Sequence, residues 1–312
     1  MRPEYRVLIF VSLLGTIYVL SALILVDMVL RCLRGAGQPP SWRTKLVLLL
    51  GALGILCFAY GYFIEPFWPE VTHITITTEK FSPGSRPVRI VQISDVHSDP
   101  KVRLEDRLPG IIAAQKPDLI VFVGDATNSV EGVPVFVRLM QAVTKVAPTY
   151  GVRGNWDLSN EAKYIFTNTG VDELNGIARR LEVNGQIIVL SGTAANRFTT
   201  ARDAFQNATR TDFRIFLHHY PDRIYEAAGA EIDLYLAGHT HGGQVALPLY
   251  GALITASRFD KRFERGLYRE GKTWMYVNRG IGMEGGSAPR VRFCSRPEIT
   301  VIDIVPARPQ TP

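Results

Sequence analysis

Five of the six histidines follow short apolar segments, in the company of aspartate, asparagine and glycine. These segments end in SDVH (94–97), GD (124–125), GNW (154–156), LHH (217–219) and GHTH (238–241). Aspartate, asparagine and histidine together form the ligand set that hard-to-borderline divalent metals prefer. Alternation places Asp95 and His97 on one side of an extended chain, and His239 and His241 repeat that spacing. The pattern predicts a site for two metal ions.

The elements that must position these residues alternate as in an α/β fold. Predicted strands cover 71–78, 88–94, 119–124, 149–153, 186–191, 213–218, 232–237, 274–278 and 298–304. Predicted helices cover 103–116, 133–145, 159–168, 201–208 and 222–228. We therefore expect a layered α/β domain with mixed sheets, with the ligands at the carboxyl ends of the strands. Glycines at 124, 154 and 238 should let the backbone turn sharply and place the next side chain in the cleft.

Two uncharged apolar stretches precede this domain, at residues 7–26 and 46–64. Each is close to the roughly 20 residues that span hydrocarbon, so we expect two transmembrane helices. A signal peptide is the alternative for the first stretch, but its apolar region is too long and no small-residue cleavage site follows. The expected aromatic belt comprises Tyr60, Tyr62, Phe63, Phe67 and Trp68.

The basic residues around these stretches bear on orientation. The connecting loop carries Arg31, Arg34, Arg43 and Lys45, and the opposite side carries Arg2, Arg6 and Lys80. By the positive-inside rule this small difference favours the loop inside and the domain outside.

Composition excludes several classes of protein. With 46% hydrophobic and 21% charged residues, the chain is too apolar for disorder. Its net charge of +6 is spread along the sequence without a basic stripe, so we expect no nucleic-acid partner. Cys32, Cys57 and Cys294 form neither a disulfide framework nor a CxxC zinc motif. No P-loop, GxSxG motif or nucleophile triad is apparent.

The ordered motifs DxH, GD, GN, H and GHxH resemble those of the calcineurin-like metallophosphoesterase superfamily over about residues 86–304. GHTHGGQV (238–245), NRGIG (278–282) and RPEIT (296–300) are similar to its membrane-associated bacterial YkuE- and YaeI-like branch. The resemblance implies a four-layered α/β/β/α sandwich, here preceded by two transmembrane helices, and a location in the bacterial inner membrane. The expected divisions are a membrane anchor (1–65), a linker with the first strand (66–85), the catalytic domain (86–304) and a tail (305–312).

The same resemblance assigns the ligands. It implies that one metal is held by Asp95, His97 and His241, the other by Asn155, His219 and His239, and that Asp125 bridges them. His219 is preferred because HYPD (219–222) matches the family motif, which leaves His218 facing either the core or the substrate. The donor set accepts Mn, Fe, Zn or Mg as divalent ions. A hydroxide shared by two such ions would attack phosphorus in line with the leaving oxygen.

Trp156 departs from the family motif, in which a histidine protonates the leaving group. An indole N–H donates a hydrogen bond but cannot deliver a proton. One hypothesis is a bias toward pyrophosphate-like bonds, whose leaving group needs little protonation, or packing of Trp156 against a substrate base or acyl chain. The alternative is a structural tryptophan, with His218 or Asp157 supplying the proton.

Several substrates remain open. UDP-2,3-diacylglucosamine pyrophosphatases of the superfamily suggest a lipid-linked substrate in the cytoplasm. That location conflicts with the outward-facing domain that the loop charges favour. A general or phospholipid-headgroup phosphodiesterase facing outward is the second reading, and a catalytically weak membrane scaffold is the third. Arg279, Arg290 and Arg292 are candidates to hold phosphate oxygens or to be ordinary surface arginines. Residues 258–269 mix basic and aromatic side chains and are read as a solvated face or a contact to anionic lipid.

Overall fold

Two long apolar helices precede a two-sheet α/β domain in the computed structural model, which describes residues 2–35, 37–158, 164–197, 200–285 and 289–307. The helices are α1 (Pro3–Leu33) and α2 (Trp42–Phe63). Both are long and apolar enough to cross a membrane, and only 6% and 11% of their most apolar windows are buried inside the molecule. This exposure distinguishes them from the core helices of a soluble domain.

Small residues let α1 and α2 pack as an antiparallel hairpin. A Cβ atom added at Gly51 would lie 2.5 Å from Ser21 Oγ, and one at Gly54 would lie 2.5 Å from the Tyr18 hydroxyl. Ser21 Oγ also donates a hydrogen bond to the Val47 carbonyl at 3.2 Å. Small residues and an interhelical hydrogen bond are the contacts that join helices in lipid, where no hydrophobic force acts between them.

Both helices meet the domain at the same end of the hairpin. Near the start of α1, the Arg6 guanidinium pairs with the Asp260 carboxylate. Near the end of α2, the Gly61 carbonyl accepts a hydrogen bond from the Arg292 backbone N–H at 2.9 Å. The connection between the helices therefore lies at the far end, away from the domain.

The strands form two six-stranded sheets and one small hairpin. In chain order they are β1 (Glu70–Thr78), β2 (Val88–Ile93), β3 (Leu119–Val123), β4 (Thr149–Val152), β5 (Asp172–Glu173), β6 (Ala178–Val183), β7 (Gln186–Thr193), β8 (Phe213–His218), β9 (Leu234–Ala237), β10 (Ala246–Leu247), β11 (Gly251–Ala252), β12 (Gly266–Glu270), β13 (Thr273–Val277) and β14 (Glu298–Pro306). The first sheet has the order β1-β14-β2-β3-β4-β5 and the second β12-β13-β9-β8-β7-β6. The strands β2, β3, β4 and β5 run parallel, as do β7, β8, β9 and β13.

Alternation along the central strands builds four layers. Val121 and Ile215 face each other's sheets across one apolar core. Phe122 turns the other way, toward Phe136, with ring centroids 5.2 Å apart, and Phe216 points to the outer face of the second sheet. The outer layers are the helices α3 (Leu108–Ala114), α4 (Val133–Val143), α5 (Ala201–Ala204) and α6 (Ile224–Gly229). The predicted α/β/β/α fold class is confirmed.

The differences lie in short and peripheral elements. The predicted helices at 103–116 and 201–208 shorten to α3 and α5. Of the helix predicted at 159–168, residues 159–163 lie outside the described residues and 164–168 form turns, so the prediction is wrong over the latter. The left-handed φ angles of Asn168 (61°) and Gly170 (84°) explain why no helix continues there.

Five strands were not predicted from the sequence: β5, β6, β10, β11 and β12. Of these, β6 and β12 lie at edges of the second sheet and carry few fully buried side chains. The predicted Asn184-Gly185 turn joins β6 to β7, and both residues have positive φ (53° and 73°), as a two-residue type I′ hairpin requires.

Candidate metal centre

The carboxyl ends of five strands from both sheets meet at one edge of the sandwich. Strands β2, β3 and β4 of the first sheet end there beside β8 and β9 of the second. Within four residues after the ends of these strands lie Asp95, His97, Asp125, Asn155, His219, His239 and His241. A ligand site at this edge is the general expectation for sheets with parallel strands.

Six of these seven residues form two groups that could each hold a metal ion. One group consists of Asp95, His97 and His241, and the other of Asp125, His219 and His239. Within each group the potential ligand atoms all lie within 4.8 Å of one another.

Two carboxylates link the groups. Asp125 Oδ2 lies 3.5 Å from His97 Nε2 and 3.1 Å from His219 Nε2. Asp95 Oδ1 lies 3.4 Å from His241 Nε2 and 3.9 Å from His219 Nε2. Asp125 therefore faces both groups at once, as a bridging ligand must.

Unpartnered polar atoms face the same region. Among the described residues, the Asn155 side-chain oxygen and both ring nitrogens of His97 are buried without a hydrogen-bond partner. Buried polar atoms in this state are costly unless a ligand satisfies them. Their nitrogen and oxygen chemistry fits divalent cations of the first transition row, so the residues present fit a two-metal site.

Backbone carbonyls hold two of the rings. His219 Nδ1 lies 2.8 Å from the Val123 carbonyl, which fixes the proton on Nδ1 and leaves Nε2 facing Asp125. His239 Nε2 lies 3.2 Å from the Ala256 carbonyl, which leaves Nδ1 available instead. Such contacts on the outer ring nitrogen are typical of metal-binding histidines.

Several ligand residues adopt a backbone conformation that is unusual for residues other than glycine. Five ligand residues have left-handed φ angles, namely Asp95 (49°), His97 (43°), Asp125 (58°), His239 (72°) and His241 (51°). Non-glycine residues hold this conformation only where the surrounding structure imposes it, and such residues cluster at functional sites. These residues lie in the loops after β2, β3 and β9, whose side chains the structure brings together.

The nearby glycines have two different roles. Gly124 has a φ of 88°, as expected for a sharp turn. Gly154 and Gly238 are needed for close approach instead. A Cβ atom at Gly154 would lie 2.1 Å from Asp125 Oδ1, and one at Gly238 would lie 2.4 Å from Asp95 Oδ2. The missing side chains make room for the two carboxylates.

Asp157 pins two of the ligand loops. Its carboxylate accepts hydrogen bonds from the backbone N–H groups of Asp125 and Ala126, both at 2.8 Å, and of Gly154 at 2.9 Å. Burial and the charge of Asp125 raise the pKa of Asp157 to about 6, so the group stays ionised at neutral pH. With both oxygens engaged, Asp157 is a positioning residue.

Trp156 lies inside the centre. Its backbone N–H donates to Asp125 Oδ1 at 2.9 Å, and its ring meets the His97 ring edge-on at 5.6 Å between centroids. Burial and the charge of Asp125 raise the pKa of Glu284, against an opposing effect of the Trp156 side chain. Glu284 follows the NRGIG segment but was not selected from the sequence.

The structure does not bring His218 into the cluster. Successive strand residues face opposite ways, so His218 points to the outer face of the second sheet, where it stacks on Phe216 at 6.1 Å between centroids. Its Nδ1 lies 3.1 Å from both the hydroxyl and the carbonyl of Thr193. Burial lowers its pKa to about 3 and keeps the ring neutral.

The three arginines proposed to hold phosphate have protein partners. Arg279 contacts the Glu298 carboxylate at 3.2 Å, and Arg290 pairs with Asp99. Arg292 is fully buried and donates to the backbone carbonyl of Gly282 at 2.8 Å. The structure thus gives all three a role in holding loops around the centre.

Two further residues missed in the sequence support His97. Asn128 Nδ2 donates to the carbonyls of His97 and Met283, each at 3.1 Å. Arg103 Nη2 reaches the His97 carbonyl at 3.3 Å. Asn128 lies three residues after Asp125, but only the packing of the 283–285 loop shows what it binds.

Comparison with known proteins agrees with this arrangement. The model of the family described as "Calcineurin-like phosphoesterase" matches residues 88–243, which include all seven residues at the strand ends. The metallophosphoesterase YkuE of Bacillus subtilis is 30% identical over 79% of this chain and 89% of its own. Phosphodiesterase YaeI of Escherichia coli is 28% identical (80% and 93%). The UDP-2,3-diacylglucosamine pyrophosphatase LpxG of Chlamydia trachomatis is 25% identical (80% and 94%). The family model spans this candidate metal centre. The chain is therefore a phosphoester hydrolase of the calcineurin-like phosphoesterase family.

Proposed function

We propose that this chain is a membrane-anchored phosphohydrolase that cleaves phosphodiester or pyrophosphate bonds at a two-metal centre. The observation that carries the proposal is the pair of side-chain groups that Asp125 faces simultaneously. In the proposed assignment, one cation is held by Asp95, His97 and His241, the second by Asn155, His219 and His239, and both by Asp125.

The centre requires two divalent cations, for which Mn, Fe, Zn and Mg are the candidates. When bound, such a pair lowers the pKa of water to give a nucleophile and neutralises charge that builds on the phosphoryl oxygens. The protein holds the ligands through Asp157, Asn128 and the carbonyl contacts to His219 and His239. It thereby supplies a preorganised, largely buried site.

The surroundings of Trp156 favour a substrate with a good leaving group. Its indole offers a hydrogen bond but no proton, while His218 faces away and both oxygens of Asp157 are engaged. Pyrophosphate-like bonds depend least on protonation of the leaving oxygen. Similarity to LpxG supports the same choice, so we propose UDP-2,3-diacylglucosamine as the first substrate to test.

The proposed anchor is residues 1–65, inserted in a bacterial inner membrane, with residues 86–304 as the catalytic domain. The length, apolar composition and exposure of α1 and α2 support the anchor. Residues 66–85 contain β1, which pairs along its whole length with β14 and so belongs structurally to the first sheet.

The test uses the full chain, purified in detergent and loaded with Mn²⁺. Turnover of UDP-2,3-diacylglucosamine is compared with that of bis-p-nitrophenyl phosphate, with Asp125→Asn as the inactive control and metal content measured on both proteins. The expected result is cleavage of the UDP-lipid that is lost in Asp125→Asn. Turnover of the aryl diester alone would support a general phosphodiesterase. No turnover of either by protein that holds two metals would contradict the proposal.

A further inference from the structure

An apolar groove lies where the helical hairpin meets the domain. Its volume is about 430 Å³, and its walls include Phe10 and Leu14 of α1, Leu53 and Cys57 of α2, and Val291 and Phe293 of the domain. The lining residues of α1 recur at helical spacing, so one face of the helix is turned into the groove. The groove is thus formed jointly by the proposed membrane anchor and the catalytic domain.

The groove has the depth of one membrane leaflet. Its lining residues on α2 extend from Gly61, which touches the domain, back to Leu50. At about 1.5 Å per helical residue this is roughly 17 Å along the helix. A bilayer has about 30 Å of hydrocarbon, so the groove reaches roughly to its middle. That is the region occupied by the acyl chains of a single leaflet.

The domain wall of the groove is continuous with the metal centre. Val291 and Phe293 line the groove, while Arg292 between them points inward, with Nη2 3.4 Å from His241 Nδ1. Val245, also in the wall, lies four residues after His241. One short stretch of backbone therefore has the groove on one side and a proposed metal ligand on the other.

A cation lies near the junction. Arg265 Nη1 donates to the Cys294 carbonyl at 2.7 Å, directly after Phe293 in the chain. Its Cδ would lie 3.2 Å from a Cβ atom at Gly242, the residue after His241. A guanidinium between an apolar groove and a metal centre suits an anionic headgroup.

We propose that this groove binds one acyl chain of a lipid substrate whose phosphorylated headgroup reaches the metal centre. The inference rests on the proposed phosphohydrolase function and adds to it the class of substrate. Bulk phospholipid and a second copy of the chain are the competing occupants. Continuity with the ligand loop favours the substrate, because either competitor could fill the groove without any relation to His241.

The first test measures binding without turnover. UDP-2,3-diacylglucosamine with a diazirine at the end of one acyl chain is photolysed with the full metal-free chain in phosphatidylglycerol–detergent mixed micelles. We expect adducts on groove residues of α1 and α2. Unlabelled UDP-2,3-diacylglucosamine should suppress them at concentrations at which added phosphatidylglycerol does not. Adducts spread around both helices, equal competition by phosphatidylglycerol, or crosslinked dimers of the chain would overturn the proposal.

The second test uses matched variants. Cys57→Trp places a large ring in the groove, whereas Leu56→Trp introduces the same ring at the neighbouring residue, which is 66% exposed and outside the lining. We expect Cys57→Trp, but not Leu56→Trp, to reduce crosslinking at least 10-fold. In active protein, Cys57→Trp should raise KM for the acylated substrate at least 10-fold and leave bis-p-nitrophenyl phosphate turnover unchanged. Equal losses on both substrates, or unchanged crosslinking, would overturn the proposal.

Because crosslinking needs no catalysis, the two proposals can fail separately. Specific crosslinking without turnover would contradict the phosphohydrolase proposal and leave the groove as a lipid site. Turnover of the UDP-lipid, combined with crosslinking that phosphatidylglycerol suppresses equally, would contradict the groove proposal and leave the phosphohydrolase proposal intact.

Discussion

His218 and His219 are neighbours in the chain, but their surroundings shift their pKa values in opposite directions. Burial lowers the pKa of His218 to about 3. Burial also opposes a charge on His219, but the carboxylates of Asp125 and Asp95 outweigh it and raise its pKa to about 10. Without metal, His219 is therefore protonated on both ring nitrogens and positively charged at neutral pH, while the His218 ring is neutral.

Metal binding should release that proton. A ligand nitrogen must be unprotonated, so affinity for Mn²⁺ should fall as the pH drops below about 10, by up to about 10-fold per pH unit for one proton. Calorimetric titration at pH 8 in buffers of different ionisation enthalpy would count the protons released. We expect His219→Ala to release one proton fewer on metal binding, and His218→Ala to release the same number as the unmodified protein. No proton release by the unmodified protein would contradict this prediction.

Replacing Trp156 should change which leaving groups are cleaved. Trp156→His introduces a group that can donate a proton, which is typically worth 10²–10⁴-fold for a poor leaving group. We expect an increase of about 10–100-fold for an alkyl phosphodiester, with a much smaller effect on bis-p-nitrophenyl phosphate. Trp156→Phe is the control, because it removes the indole without adding an acid. Equal changes for both substrates, measured as kcat/KM, would refute this role for position 156.

At the scale of single residues, the sequence identifies side chains whose type is itself typical of metal binding. Asp95, His97, Asp125, His239 and His241 could be selected because metal-ligating side chains directly follow apolar strands. Glu284, Asn128 and Arg103 could not, because common residue types in loops acquire their partners only through tertiary packing.

At the scale of elements, the loops after the strands depend on close packing of glycine. Gly238→Ala would place a Cβ atom 2.4 Å from Asp95 Oδ2, so the loop or the carboxylate must shift. We expect metal affinity to fall at least 10-fold and the free energy of unfolding to fall by about 1–3 kcal/mol.

A control for this substitution is available in α6. A Cβ atom at Gly229 meets nothing within 4 Å, so Gly229→Ala should leave metal affinity unchanged. Equilibrium dialysis with Mn²⁺ and chemical denaturation would check both variants. Unaltered metal affinity in Gly238→Ala would show that the loop tolerates the displacement.

The elements also differ in how far their sequences predict them. Central strands such as β3 are apolar throughout because both faces are buried, and such runs are easily recognised. The edge strands β6 and β12 carry partly exposed side chains on both faces, so their sequences lack an apolar run. Helices α3 and α5 are too short for helical periodicity to fix their ends.

At the scale of the whole molecule, metal should stabilise both sheets together, since the ligands come from the strand ends of each. A ligand that binds only the folded state at 100 times its Kd adds about 2.7 kcal/mol. For a domain of this size that corresponds to a rise in Tm of about 5–10 °C. Thermal unfolding with Mn²⁺ and after chelation would measure it. Asp125→Asn should lose most of the increase, and an equal increase in that variant would contradict a shared bridging ligand.

The short connection between α2 and the first sheet has a kinetic consequence. Only residues 64–69, which include a 3₁₀ turn (Glu65–Phe67), separate the end of α2 from β1. The buried Glu65 carboxylate accepts a hydrogen bond from the Cys294 backbone N–H at 2.9 Å. With the helices in a bilayer, the centre is held at a constant height and cannot swing toward solutes in bulk water. Encounters with a lipid would then occur by lateral diffusion in two dimensions. The rate should follow the mole fraction of substrate in the surface, and diluting it with inert lipid should slow turnover even at constant total concentration.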